Sequence, residues 1–317
     1  MNGSGTTMLL EHLSSHSLLY GFPNETGFLP YFLQHQVKYG NLTDDRRFLN
    51  LWNEMRKLVP GRVAPGAEKI PLPESWRGQP RTVASVFNQI MLRFAAVKGK
   101  KIWCEKTPMH VHHLRLLAQE FPESKFIHIV RDGRDCAASF HRRWKFNPVR
   151  TIYRWKHAVS AGKRQGSLLG ARYHEVRYEE ITTAPEKGFR EICAFLDIPF
   201  EESVLFAAKT RPHMSGSNAQ TIERNSGRAA HYFSARKLEK LESVAGRYLT
   251  ELGYVCRNSS GDREPASWAL RWWELTDDLR RLRVVAIAEG RILKRSKWPY
   301  IFGRVKRGIK QKLSLKP

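Results

Sequence analysis

Two stretches of this 317-residue chain carry side chains that could handle an anion. Gly3-Ser4-Gly5-Thr6-Thr7 runs straight into Met8-Leu9-Leu10-Glu11-His12-Leu13, in which Leu9, Leu10 and Leu13 recur at helical spacing. Glycines let backbone N–H groups approach a phosphate, hydroxyls donate to it, and a helix N-terminus adds a favourable dipole. A plain helix-entry turn is the simpler reading of the same residues. Gly5 is followed by Thr6 with no lysine, so the Walker pattern of ordinary NTPases is not met. The second stretch is Phe126-Ile-His-Ile-Val-Arg131-Asp-Gly-Arg-Asp-Cys-Ala-Ala-Ser139, where a strand-like apolar run ends at an arginine. Arg131 offers a fork of donors that matches phosphate, and Ser139 follows about two helical turns later. A local ion pair between Arg131 and Asp132 is the bland alternative.

The elements that must hold these residues alternate between strand and helix. Short strands are expected at Ser17–Gly21, Lys101–Pro108, Lys125–Val130 and Tyr173–Tyr178. Helices are expected after Thr7, over a face formed by Val111, Leu114, Leu117 and Phe121, after Asp135, and over Ala184–Leu196. Such alternation indicates an α/β fold with a central parallel sheet covered by helices on both faces. Ser234 reads as the N-cap and Gly253 as the C-cap of a closing helix. Residues 27–97 show helical pieces and the Pro/Gly-rich stretch Val59–Gly66, with no chemical motif.

Gly3-Ser-Gly-Thr-Thr7, Glu105-Lys-Thr-Pro108, Ile129-Val-Arg-Asp-Gly-Arg134 through Ser139, and Val176-Arg-Tyr-Glu-Glu180 resemble, in order and spacing, the superfamily of sulfotransferases that use 3′-phosphoadenosine 5′-phosphosulfate (PAPS). The branch most similar contains bacterial sulfotransferases and the tyrosylprotein sulfotransferases, and the likeness spans about residues 2–254. It implies a three-layer, P-loop-like α/β domain and transfer of a sulfuryl group to an acceptor hydroxyl on a glycan, lipid, peptide or small molecule. Carried onto this chain, Gly3, Ser4, Gly5, Thr6 and Thr7 form the cradle for the 5′-phosphosulfate. Arg131 and Ser139 hold the 3′-phosphate, and Tyr178 lies against the adenine. Arg224 and Gly227 belong to a later loop that closes over the nucleotide. Lys106 stabilises charge on the bridging oxygen and the transferred group, and Glu25 takes the acceptor proton, with Glu105 as the fallback base. The reaction requires no metal, and His110, His112 and His113 lack the spacing of paired helix ligands.

Two departures stand out. Gly3 occupies the place where the family commonly has Arg or Lys. A cradle of this kind also follows a central strand, for which Met1 and Asn2 leave no room; the expectation is that Met1 is internal to a longer product. A catalytically inactive nucleotide- or polyanion-binding protein, or a kinase on the same cradle, are the competing functions.

Fifty-four Lys and Arg against 30 Asp and Glu leave a net charge of +24, which favours polyanionic partners. Residues 281–317 hold twelve basic side chains and one acidic, a net of +11, with Trp272, Trp273, Trp298 and Tyr300 in or just before them. The expected organisation is a sulfotransferase domain over 1–256, with 27–97 as an acceptor-recognition insertion, and a basic helical extension over 257–317. That extension suits an anionic membrane or glycan surface, and no nucleic-acid partner is expected. Cys104, Cys136, Cys193 and Cys256 form no metal or disulfide pattern, which fits a reducing cytoplasmic setting, with attachment at a membrane periphery left open.

Overall fold

The computed structural model describes residues 3–58, 71–72, 74–207, 222 and 226–292. The Pro/Gly-rich stretch 59–66, Arg224 and the last part of the basic extension lie outside the described residues. The chain divides into two compact units, one formed by residues 1–136 and 155–228 and the other by 137–154 and 229–317.

In the first unit the glycine turn opens helix α1 (Thr6–Leu13), whose Leu9 and Leu13 are buried. Strand β1 (Leu19–Gly21) follows, then three helices in the region that carried no motif: α2 (Leu29–Gln34), α3 (Asp45–Leu58) and α4 (Val83–Val97). Phe48, Leu51, Trp52 and Met55 on α3 and Phe87, Ile90 and Met91 on α4 are almost wholly buried, in one cluster with Phe22 and Phe32. Spacings of three and four residues put these side chains on one face of each helix. The stretch expected to be an acceptor insertion therefore supplies a large share of the core. Helix α4 is closed by Thr82, whose hydroxyl accepts from the Ser85 N–H.

Strand β2 (Ile102–Cys104) pairs in parallel with β1, Leu19 opposite Ile102 and Gly21 opposite Cys104. Pro108 begins a 3-10 turn to His112 and α5 (Leu114–Glu120) follows, so the single helix expected there is broken at His113. Strand β3 (Phe126–Val130) pairs in parallel with β4 (Tyr173–Arg177). Helix α6 (Gly133–Trp144) leaves the end of β3, α7 (Pro148–Gly166) leads back, and α8 (Tyr178–Thr183) and α9 (Pro185–Phe195) follow β4. Ile129, Val176, Tyr178, Ile181, Phe189 and Ile192 join Leu9, Leu13 and Leu19 in a second core cluster. Glycines in α7 allow the close approach of that helix to the ladder: a Cβ on Gly162 would stand 2.5 Å from His128, and one on Gly166 would stand 2.3 Å from Tyr173.

The α/β class with parallel strands agrees with expectation. Among the described residues, however, the strands form two separate two-stranded ladders, β1 with β2 and β3 with β4, where one continuous sheet was expected. Each ladder satisfies one edge of each of its strands. The strand expected before the cradle would precede residue 3 and so falls outside the described residues.

The second unit holds α10 (Arg228–Tyr232), α11 (Ala235–Glu251) and α12 (Ser267–Ile292). Ser234 caps α11 through the Lys237 N–H and Gly253 has the positive φ of 77° that ends it, as expected from the sequence. The boundary expected at residue 256 is bridged by hydrogen bonds. Buried Glu242 accepts from the N–H groups of Arg257 and Asn258 at 2.9 and 3.1 Å, and the Arg247 N–H reaches the Gly261 carbonyl. Gly246 permits the crossing, because a Cβ there would stand 1.8 Å from the Asn258 carbonyl oxygen. Helix α11 is thus grouped with the extension and not with the first unit.

Candidate active site

In parallel strand pairs the carboxyl ends lie side by side, and ligands of open α/β sheets bind just beyond them. Apart from the glycine turn before α1, the main candidate residues of the first unit follow this rule. Residues just after β1 meet residues just after β2, and residues just after β3 meet residues just after β4.

Beyond β3 and β4 stands the glycine turn that was expected to cradle an anion. Gly3 and Gly5 have φ values of 88° and 98°, in the range that glycine tolerates. Gly5 is the N-cap of α1, and no acidic side chain in the first turn competes for its free N–H groups. Thr6 and Thr7 open the helix half-buried, and Ser4 is buried. Arg131, itself buried, donates from Nη1 to the Gly3 carbonyl at 3.1 Å and pairs through Nη2 with Asp135 at 3.5 Å. Its guanidinium lies 4.3 Å from the centre of the Tyr178 ring. A Cβ on Gly5 would fall 2.4 Å from Cδ2 of the same ring. Tyr178 is therefore a buried wall packed against both the cradle glycine and the arginine. Asp135 also accepts from the Gly227 N–H at 2.8 Å, so the later glycine loop is tied to the arginine through one carboxylate. Asp132, the alternative partner for Arg131, is engaged by Arg134 at 2.7 Å and accepts a second local bond from the Arg134 backbone N–H. Ser139 is a half-buried residue of α6 and is grouped with the second unit.

Beyond β1 and β2 stands a second group. Lys106 Nζ contacts Glu25 Oε1 at 2.9 Å, with the lysine side chain largely buried and the carboxylate 44% exposed. That exposure leaves the carboxylate open to an incoming hydroxyl. Behind the pair is a buried lock. Glu105 Oε1 accepts from the Thr26 N–H at 3.0 Å, from the Thr26 hydroxyl at 2.6 Å and from the Thr107 hydroxyl, while Oε2 faces His110 Nδ1 at 3.3 Å. The Thr26 N–H also reaches the Thr107 hydroxyl at 2.7 Å, and His110 Nε2 faces the Thr26 carbonyl at 3.3 Å. Burial by itself pushes the Glu105 carboxyl up, but the hydrogen bond and charge of His110, with the two threonine hydroxyls, hold it below the ordinary carboxylate range. Glu105 is thus consumed in structure. It fixes the neighbours of both Glu25 and Lys106, a role different from the fallback base expected for it.

Sequence reasoning missed this lock. Its signal was present: in extended chain, side chains alternate, so Glu105 and Thr107 must point away from the side taken by Lys106. Asp135 was also missed, although it stands four residues from Arg131 at the start of a helix.

The chain is similar to proteins of known kind. The sulfotransferase family profile matches residues 1–202. Protein-tyrosine sulfotransferase 1 of Danio rerio is 28% identical over 144 residues, 43% of this chain and 41% of its own length. The protein-tyrosine sulfotransferase of Drosophila melanogaster is 29% identical over 152 residues, 45% of this chain and 30% of its own. This chain thus matches less than half the length of either relative. Among solved structures, the sulfotransferase domain from the curacin biosynthetic pathway superposes with a TM-score of 0.54 at 20% identity, covering 80% of this chain and 95% of that one. The sulfotransferase domain of the Synechococcus PCC 7002 olefin synthase gives 0.51 at 19%, covering 77% and 91%. These two likenesses speak for the fold. With the profile spanning well over half of the sequence, the chain belongs to the sulfotransferase family.

Proposed function

We propose that the chain transfers the sulfuryl group of PAPS to an acceptor hydroxyl, with Lys106 and Glu25 as the reacting pair. The observation that carries this reading is the 2.9 Å contact between Lys106 and Glu25 at the adjacent carboxyl ends of β1 and β2. The cradle suits a phosphosulfate. It combines two glycines at positive φ with a helix N-terminus without acidic competitors, and beside it, available to the 3′-phosphate, is an arginine held by Asp135 and the Tyr178 ring.

In this reading the N–H groups of Gly5, Thr6 and Thr7 and the hydroxyls of Ser4, Thr6 and Thr7 receive the 5′-phosphosulfate. Arg131 receives the 3′-phosphate. Tyr178 steadies the guanidinium and borders the adenine, and Gly227, tied to Asp135, stands beside the nucleotide. PAPS supplies an activated sulfuryl group whose leaving phosphate gains negative charge. Lys106 donates to the bridging oxygen where that charge develops, and Glu25 accepts the proton of the attacking hydroxyl. With Gly3 in the place of a basic residue, Lys106 carries more of the charge on the sulfuryl oxygens.

Labelled PAPS offered with a panel of peptide, glycan, lipid and phenol acceptors tests the proposal. Lys106→Ala is expected to lower transfer by about 10²–10³-fold and Glu25→Gln by about 10²–10⁴-fold, both retaining affinity for adenosine 3′,5′-bisphosphate. Transfer by Lys106→Ala within a few-fold of the parent would refute the assignment. Bisphosphate binding without transfer to any acceptor would instead favour a nucleotide-binding protein.

A further inference from the structure

Helix α12 shows two faces. One holds it to its own unit: Ala269 and Asp277 are buried, Asp277 accepts from the Asn147 N–H at 2.8 Å and pairs with Arg150 and Arg280 at 3.1 Å, and Glu274 reaches Arg150 at 3.4 Å. The other face carries Trp268, Trp272, Leu275, Leu279 and Leu282, each between 39% and 75% exposed. Their spacing of four, three, four and three residues aligns them in one stripe along almost four turns. Two exposed tryptophans and three exposed leucines in a single row are far more than the scattered apolar residues of an ordinary surface.

What covers the stripe is indicated by charge. The chain from residue 281 to 317 has a net charge of +11, and Arg281 and Arg283 flank the last leucine of the row. A stripe of Trp and Leu continuous with a run of Lys and Arg matches a surface that is apolar inside and anionic outside. Tryptophan favours the boundary between headgroups and acyl chains, and basic side chains favour anionic headgroups. A sulfated glycan or a nucleic acid would meet the charge but leave the leucines in water. A second copy docked in register would bury the leucines but set two strongly basic segments side by side. No helix among the described residues is long and apolar enough to cross a bilayer, so the fit is to a helix lying on the surface.

We infer that the exposed stripe of α12, with Arg281 and Arg283 on either side of its last leucine in sequence, is a docking surface for an anionic lipid bilayer. The inference is independent of the transfer chemistry. It is tested by sedimenting the full chain with vesicles of phosphatidylcholine alone and of phosphatidylcholine mixed with phosphatidylserine. The parent is expected to bind only the mixed vesicles and to be released by salt. Each basic side chain near such a surface strengthens binding by about fivefold. Arg304→Gln with Lys306→Gln, Arg307→Gln and Lys310→Gln should therefore weaken binding by at least about tenfold even after screening. Trp272→Gln with Leu275→Gln and Leu279→Gln should weaken it by a similar factor while leaving bisphosphate affinity unchanged, which reports an intact first unit, and far-ultraviolet helicity unchanged, which reports an intact α12. Quenching of tryptophan emission by brominated lipid in the parent checks contact without any substitution. Three results overturn the inference: equal sedimentation of parent and stripe variant, capture of the parent by heparin but by neither vesicle, or a dimer in the parent that the stripe variant dissolves.

Discussion

Gly5 is the position where a single methyl group tests the architecture of the cradle. Its φ of 98° costs any other residue roughly 1–2 kcal/mol. A Cβ there would also lie 2.4 and 2.8 Å from two atoms of the Tyr178 ring and 3.3 Å from Ile129 Cδ1. Tyr178 has little room to give way, being 4% exposed with the Arg131 guanidinium over its ring. Overpacking of this kind adds about 1–3 kcal/mol, so Gly5→Ala should cost roughly 2–5 kcal/mol in all. Gly227 supplies the control: its φ is 76°, but nothing lies within 4 Å of a Cβ placed there, so Gly227→Ala bears only the conformational part. Urea unfolding of parent, Gly5→Ala, Gly227→Ala, Tyr178→Leu and the Gly5→Ala, Tyr178→Leu double variant separates the contributions. Replacing the ring should relieve the steric part and give a coupling of about 1–3 kcal/mol. Displacing Tyr178 also unseats Arg131, so bisphosphate binding should weaken in Gly5→Ala beyond what stability alone explains. Equal costs for Gly5→Ala and Gly227→Ala, or additive effects in the double variant, would refute the reasoning.

Three other perturbations address the supports of the site. Because the Glu105 carboxyl is held below its ordinary range in the folded chain, its stabilising contribution is complete above the unfolded value of about 4 and is lost as pH falls through the lower folded value. Urea midpoints followed from neutral to acid pH should fall less steeply in Glu105→Gln than in the parent. Thr26→Val removes a hydroxyl that donates to the same carboxylate at 2.6 Å and should cost about 1.5–3 kcal/mol; it should also lower the transfer rate more than donor affinity if the lock positions Glu25. Gly166→Ala drives a methyl into the Tyr173 ring at 2.3 Å and should lower the unfolding midpoint by the equivalent of about 1–3 kcal/mol, while Gly170→Ala, in open space, should show only the strain of its positive φ.

The parts that could be read directly from the sequence were the ones that local chemistry determines. Phe126–Val130 is an apolar run with a glycine turn after it, and it is β3; Ser234 and Gly253 mark the ends of α11 because a cap needs only its own side chain or its own φ. Nonlocal pairing is a different matter. Glu25 and Lys106 are 81 residues apart, and Arg131 and Gly3 are 128 apart. The choice of Leu19 beside Ile102 brings the first pair together, and that of Phe126 beside Tyr173 sets Arg131 against Tyr178, the ring on which the glycine turn packs at Gly5. Nothing in either strand alone specifies that neighbour, and resemblance to a family supplied what periodicity could not. Where resemblance was weak, over residues 27–97, helices were foreseen but not their weight in the core. That weight follows from α3 and α4 burying Phe48, Trp52, Phe87 and Met91 in the same cluster as Phe22. Phe22 lies three residues before Glu25, and its N–H is bonded to the Cys104 carbonyl two residues before Lys106. The stretch read as variable and acceptor-facing is therefore also the packing that anchors the start of the Glu25 loop against the Lys106 segment. Core substitutions there should alter the geometry of the reacting pair as well as stability.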